Sequence, residues 1–307
     1  MVRRALVTLL ALIASAICTP VSASLLAEQP YRIGYAGRLV TDVMIDDQGP
    51  FTFVIDTASS SSLMFEHVRD QLKLTQSQPK MMTVYGINDV ASAMPVKPGE
   101  LRIAGEVLHG LTLGVLPDLG RNGPDGVLGI DVLSRYFVVL DRATMRLKLL
   151  TPGPETARAY AGWSETMLVL RPLKKFSISF WYVATRFNDR TVTSLFDLGA
   201  GMTMLNWRAA EELGVAQSKF AVNGPPPEIL QDVLGKKAPA IRLQGLSIRL
   251  PGRYWQRQMV IVADAPVFEY FDLDGQPAAI VGPGLLQANS LAIDFAGHRL
   301  FVGPTMQ

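Results

Sequence analysis

Two aspartates stand in matching surroundings. The first closes the run Phe51-Thr52-Phe53-Val54-Ile55-Asp56 and is followed by Thr57-Ala58-Ser59. The second closes Val192-Thr193-Ser194-Leu195-Phe196-Asp197 and is followed by Leu198-Gly199-Ala200. Each is a strand-like apolar run ending in one carboxylate and a small-residue turn. Alone, an aspartate at a strand end reads as a turn former or a helix cap; the duplicated context favours another reading. A carboxylate leaving a buried strand is costly without a partner. Two that meet at a pseudo-two-fold interface cannot both ionise cheaply, so one pKa falls, the other rises, and the titration belongs to the pair. A singly protonated pair can hold a water, take its proton with one carboxylate and polarise a carbonyl with the other.

The repeat that must bring them together extends further. Val127-Leu128-Gly129 opens a segment running to Asp141 and Arg146, and Ile280-Val281-Gly282 opens one running to Asp294 and Arg299. Glycine to aspartate is 12 residues in both copies, and aspartate to arginine is 5 in both. Asp56 to Gly129 is 73 residues and Asp197 to Gly282 is 85, as expected of a diverged duplication with unequal loops. Repeats this long imply two similar domains rather than a solenoid. The recurring Asp141 and Asp294 read as hairpin residues, paired with Arg146 and Arg299.

The local pattern is mostly strand. Residues 39–45 and 51–55 flank a turn-rich stretch at 46–50, and 178–187 and 191–196 flank 188–190; both read as hairpins. Further strands fit 111–116, 137–140 and 147–150. Short helices fit 65–72, 131–136 and 206–213, the last with Asn206 as N-cap and Gly214 beyond its end. Residues 151–162, with Pro152, Gly153 and Pro154 and no hydrophobic period, read as a connector. The organisation expected is a segment 1–23 that is removed, a lobe at 24–151, a linker at 152–165 and a second lobe at 166–307.

Asp-turn motifs in each half, each with a later hydrophobic-hydrophobic-glycine segment, resemble the pepsin and retropepsin superfamily of aspartic peptidases. The stretches Gly129-Ile130-Asp131-Val132-Leu133 and Val138-Val139-Leu140-Asp141 look like its bacterial, retropepsin-like branch. The resemblance implies an all-β fold of two similar closed β-barrel lobes with a cleft between them. It implies an endopeptidase acting on a peptide or protein substrate, with Asp56 and Asp197 catalytic and no metal or other cofactor. Thr57, Ala58, Ser59, Leu198, Gly199 and Ala200 would form the supporting loops, with Gly129 and Gly282 threaded beside them.

Two departures bear on activity. Ala58 replaces a usual glycine, which costs about 1–2 kcal/mol if that position needs positive φ. Leu198 replaces a threonine whose hydroxyl bonds across to the opposite lobe, a loss of about 1 kcal/mol. Ser59 resembles the hydroxyl that bonds the outer carboxylate oxygen. The family also closes a hairpin flap over its substrate, and Tyr85 with Gly86 is the flap candidate; the alternative is a tyrosine half-buried in a strand. The departures keep a second reading open, a peptide-binding protein with the cleft but without turnover.

Other chemistries find little support. The serine run 59–62 lacks a Gly-x-Ser-x-Gly elbow. His67, His109 and His298 show no metal-ligand spacing. Gly282-Pro283-Gly284 lacks the lysine of a phosphate loop and reads as a turn. Net charge is +2 with no block of like charges, which argues against nucleic acid. Arg3 and Arg4 before an uncharged run, then Val21-Ser22-Ala23, form an export signal, with an uncleaved anchor or a lipoprotein at Cys18 as alternatives. The mature chain would be a cysteine-free, periplasmic or secreted monomer with no stable membrane span.

Overall fold

The computed structural model describes residues 24–86, 88–120, 123–173, 178–217, 228–231, 237–286 and 288–305. The segment 1–23 expected to be an export signal, Cys18 within it, and the loop at 224–227 lie outside the described residues. Those described form 23 strands and six short helices. The chain is strand-rich, in keeping with the all-β expectation.

The strands form two sheets. The larger takes every strand up to Met167 together with the last two, Asn289–Asp294 and Arg299–Thr305; the smaller takes those from Val169 to Val281. Within each, a hairpin leads to one of the two aspartates. Leu39–Ile45 and Gln48–Ile55 are joined by Asp46 (φ 48°) and Asp47 (φ 59°). Positive φ at both residues of a two-residue turn matches the twist of the strands it joins. Residues 48–50, expected in the turn, therefore continue the strand. Ser179–Phe187 and Arg190–Phe196 form the second hairpin and turn at Asn188 (φ 47°).

The hydrophobic-hydrophobic-glycine segments insert beside these hairpins in the same way. Gly126–Leu128 runs parallel to Gln48–Ile55, with Val127 opposite Val54, and antiparallel to Leu63–Phe65. Ala278–Val281 runs parallel to Arg190–Phe196, with Ile280 opposite Leu195, and antiparallel to Met204–Leu205. The inserted strands and their antiparallel neighbours are buried throughout, and the two hairpin strands are buried over their last three residues, which explains why these stretches read as continuous apolar runs.

A shared sheet joins the copies. Phe137–Asp141 pairs antiparallel with Asn289–Asp294, Val138 opposite Ile293 and Leu140 opposite Leu291. Asp294 is buried and bonds Arg299 at 2.7 Å, as expected. Asp141 does not bond Arg146. It holds Lys148 at 2.7 Å, and Arg146 reaches Glu28 at 3.2 Å. The first hairpin lies against Leu25–Ile33, which supplies that competing carboxylate; the second has Met167 opposite Arg299.

The expected helices are present with shorter bounds, at Glu66–Leu72, Ile130–Leu133 and Trp207–Glu212. Asn206 caps the last by accepting the Ala209 N–H at 2.9 Å, and Gly214 follows with φ 83°. The stretch after 151 is more than a bare connector. It carries the helix Pro154–Arg158, and Tyr160 stacks on Phe137 (5.2 Å) and meets Trp163 edge-on (5.0 Å). These aromatics pack on the shared sheet and leave no periodic trace. Among the described residues no helix is long and apolar enough to cross a membrane.

Candidate active site

The two aspartate loops meet where the parallel insertions end. Asp56 N–H donates to Leu128 O (3.0 Å) and Asp197 N–H to Val281 O (3.1 Å), so each carboxylate emerges from a hydrogen-bonded strand end. Gly129 and Gly282 follow at once. A Cβ on Gly129 would lie 2.8 Å from Ser59 O, and one on Gly282 would lie 2.7 Å from Met202 O. Hydroxyls six residues past each aspartate accept from these glycines, Gly129 N–H to Ser62 Oγ (3.0 Å) and Gly282 N–H to Thr203 Oγ1 (3.3 Å).

The carboxylates are held from their own loops. Asp56 Oδ1 accepts the Ala58 N–H at 2.8 Å. Asp197 Oδ1 accepts the Gly199 N–H at 2.8 Å and the Ala200 N–H at 3.0 Å. The Ser59 hydroxyl is turned elsewhere, donating to Ser61 O at 2.8 Å; it is the Ser59 backbone N–H that faces the Asp56 carboxylate. Ala58 does not lie at positive φ, so its side chain adds no backbone strain.

Across the halves, Thr57 makes both bonds of a cross-link. Its hydroxyl donates to Phe196 O (2.9 Å) and accepts from Leu198 N–H (3.0 Å). Two such bonds contribute about 1 kcal/mol each. Leu198 returns none and is fully buried in the core. Gly199 approaches the opposite aspartate so closely that a Cβ there would lie 2.3 Å from Asp56 Cγ.

The side chains of Asp56 and Asp197 come within hydrogen-bonding reach of each other. Burial raises Asp197 well above the ordinary carboxyl value of 3.8, and the charge of Asp56 adds to this; the Ala200 and Gly199 N–H groups and Arg38 oppose it. Burial also raises Asp56, less far, because the Ala58 N–H, Arg38, the Asp197 side chain and the Ser59 N–H all favour its charge. Asp197 is 8% exposed, whereas Asp56 is half-buried and faces a cavity. The pair therefore favours one shared proton over two charges.

That cavity is mainly apolar. Its wall includes Asp56, Ala58 and Ser59 on one side and Leu173, Phe180 and Phe271 from the other half. The hairpin of Met82–Tyr85 and Val90–Val96 covers it, turning at Gly86, whose N–H donates to Asp89 O at 2.8 Å. Tyr85 ends the first of these strands, half-buried, and lines the cavity with its ring 5.1 Å from that of Tyr270. Tyr85 is thus a half-buried strand residue at the cavity wall.

Residues 41–132 match a family model described as aspartyl protease. The match supports the resemblance to the aspartic peptidase superfamily. The matched stretch holds Asp56, the Tyr85 hairpin and Gly129, and leaves the Asp197 loop outside it. Comparison with curated proteins returned no match.

Sequence reading passed over several residues at this site. Ser62 and Thr203 recur six past each aspartate, so a longer repeat alignment would have found them. Arg38, Phe180 and Tyr270 reach the site from elements far apart in the chain, and no spacing signals them.

Proposed function

We propose that the protein is an exported aspartic endopeptidase that hydrolyses peptide bonds with a water activated between Asp56 and Asp197. In this reading it has two lobes of pepsin type, at 24–151 and 166–307, joined through 152–165, each built on a closed barrel. The observation that carries the proposal is the contact of two unequal carboxylates at the end of a covered apolar cavity. Asp56, the more readily ionised, takes a proton from the water as its oxygen attacks the scissile carbonyl carbon. Asp197 gives its proton to the carbonyl oxygen, producing a tetrahedral diol. Collapse of the diol breaks the C–N bond, the amine leaves with the proton held by Asp56, and Asp197 recovers one from the diol hydroxyl. Loops at 57–59 and 198–200, backed by Gly129 and Gly282, hold the pair, and Tyr85 with Gly86 closes over the substrate. Processing after Ala23 would deliver the chain to the periplasm or medium as a monomer.

The test is digestion of a peptide library by the wild type, Asp56→Asn and Asp197→Asn. Each variant should lose roughly a thousandfold or more in cleavage, the scale expected when one member of an acid–base pair is removed. Cleavage by the wild type that persists in both variants would overturn the mechanism. A second reading, a peptide-binding protein without turnover, draws on Leu198, whose missing hydroxyl leaves the cross-link one-sided. Saturable binding of peptides by a wild type that cleaves none would favour it.

A further inference from the structure

Among the described residues Arg38 is the only buried arginine or lysine, at 7% exposure. It follows the tight segment Tyr35–Gly37, in which Ala36 adopts φ 52° and ψ 33°. A non-glycine residue in the left-handed region is strained, and such strain persists where the surroundings fix it. The surroundings here are the second aspartate loop, where a Cβ on Gly201 would lie 2.7 Å from Ala36 O. Arg38 Nε–H donates to Gly199 O at 2.8 Å. Gly199 is the same residue that sits against the Asp56 carboxylate. Arg38, Asp56 and Gly199 line a small cavity, whose remaining walls are Val54, Leu119, Pro124 and Val127.

Among the described residues, the charged groups facing the pair are thus its own carboxylates and Arg38. The other walls of that cavity carry no charge, and Tyr85 and Tyr270 stand on the flap side. A guanidinium in such a place acts through little solvent and keeps its charge at every working pH.

We infer that Arg38 is a positioning residue for the aspartate pair: it anchors the second aspartate loop from the first half through Gly199 O and fixes a positive charge beside the two carboxylates. The inference rests on the proposed catalytic role of that pair. It also accounts for how the second loop is held without a hydroxyl on Leu198. Thr57 and Arg38, both from the first half, supply the cross-links that a symmetric pair of threonines would divide. A positive charge favours the ionised form in both steps of the pair's titration, so both limbs of the pH profile lie lower than they would without it.

The experiment compares wild type, Arg38→Gln and Arg38→Lys by the pH profile of kcat/KM and by carbon-13 titration of the aspartate carboxyls. In Arg38→Gln both limbs should move up by about one unit, the low end of what a neighbouring opposite charge does, and kcat should fall at least tenfold. Arg38→Lys keeps the charge but not the planar anchor, so its limbs should stay within about 0.3 unit of wild type while kcat falls. Limbs that stay in place in Arg38→Gln, or move a full unit in Arg38→Lys, overturn the inference. If Arg38→Gln does not fold, the carboxyl titration of Arg38→Lys decides: unshifted values with lowered kcat support the charge-and-anchor role, and shifted values overturn it. The titration reads the pair without turnover, which separates the two failures. A wild type that cleaves nothing, with carboxyls that shift in Arg38→Gln, defeats only the proposed function. Aspartate-dependent cleavage with no shift defeats only the role of Arg38.

Discussion

At the scale of single residues the two loops differ, and the difference is informative. Gly199 and Ala58 stand at the same place after their aspartates, yet only Gly199 must lack a side chain. Its Cα faces the Asp56 carboxylate, and a Cβ would lie 2.3 Å from the carboxyl carbon. Ala58 is accommodated because its backbone stays out of the left-handed region and its methyl packs against the core. Gly199→Ala should therefore destabilise the fold by about 1–3 kcal/mol, as overpacking does, and cut cleavage more than a hundredfold by displacing Asp56. Ala58→Gly should cost less than about 1 kcal/mol, mainly through the entropy of the unfolded chain, and leave turnover within a factor of a few. Denaturant midpoints and kcat/KM for both variants check this; equal effects from the two would refute the asymmetry.

The element that links the protein surface to the site is the loop leading into Gly126–Leu128. His67, on the helix Glu66–Leu72, bridges Asp118 (Nδ1 to Oδ1, 2.6 Å) and Asp125 (Nε2 to Oδ1, 2.8 Å). Asp125 Oδ2 in turn accepts the Thr52 N–H at 2.6 Å, in the strand that ends at Asp56. Partial burial opposes the charge on His67, but hydrogen bonds and charges from Asp118 and Asp125 outweigh it and raise its pKa above 6.5. Burial likewise opposes the charge on Asp118, and His67 outweighs it, lowering the aspartate below 3.8. The signs set a window. A raised histidine stabilises the fold fully below 6.5 and loses that contribution as pH rises through the folded value. A lowered aspartate stabilises above 3.8 and loses it as pH falls through its folded value. The latch is therefore strongest between those limits. Thermal melts across pH 4 to 9 should show wild type losing stability above about pH 6.5 relative to His67→Gln, in which that slope is flattened. Superimposable pH dependences would remove the latch. The pair is exposed enough that the effect is small and screened by salt.

For the whole molecule, the decisive contact is the sheet that the two copies share. Phe137–Asp141 has Arg146–Leu150 on one side and Asn289–Asp294 of the other copy on the second. Residues 24–151 expressed alone would present Phe137, Val138, Val139 and Leu140 as an unpaired edge, all of them buried in the intact chain. Such an edge is a site for aggregation. The fragment should be insoluble or self-associated alone and should form a 1:1 complex when co-expressed with 152–307, as judged by size-exclusion chromatography. A well-behaved monomeric 24–151 would show that the shared sheet is dispensable.

How much was legible beforehand depended on whether a feature was local and repeated. The duplicated aspartate runs, the hairpins leading to them, the two hydrophobic-hydrophobic-glycine insertions and the Asn206 cap were all readable, because alternation, turn residues and capping act within a few residues of chain. The bounds of the 46–50 turn, the partner of Asp141 and the helix at Pro154–Arg158 were not, since strand twist, a neighbouring strand and an aromatic cluster decided them. The sequence by itself determined that two similar β units each end in an acid. Only the tertiary structure decided that these acids differ, that Thr57 and Arg38 hold the second loop from one side, and that Tyr85 meets Tyr270 over the cavity. Those outcomes follow from burial, dielectric and contact between segments more than a hundred residues apart, and no local pattern encodes them.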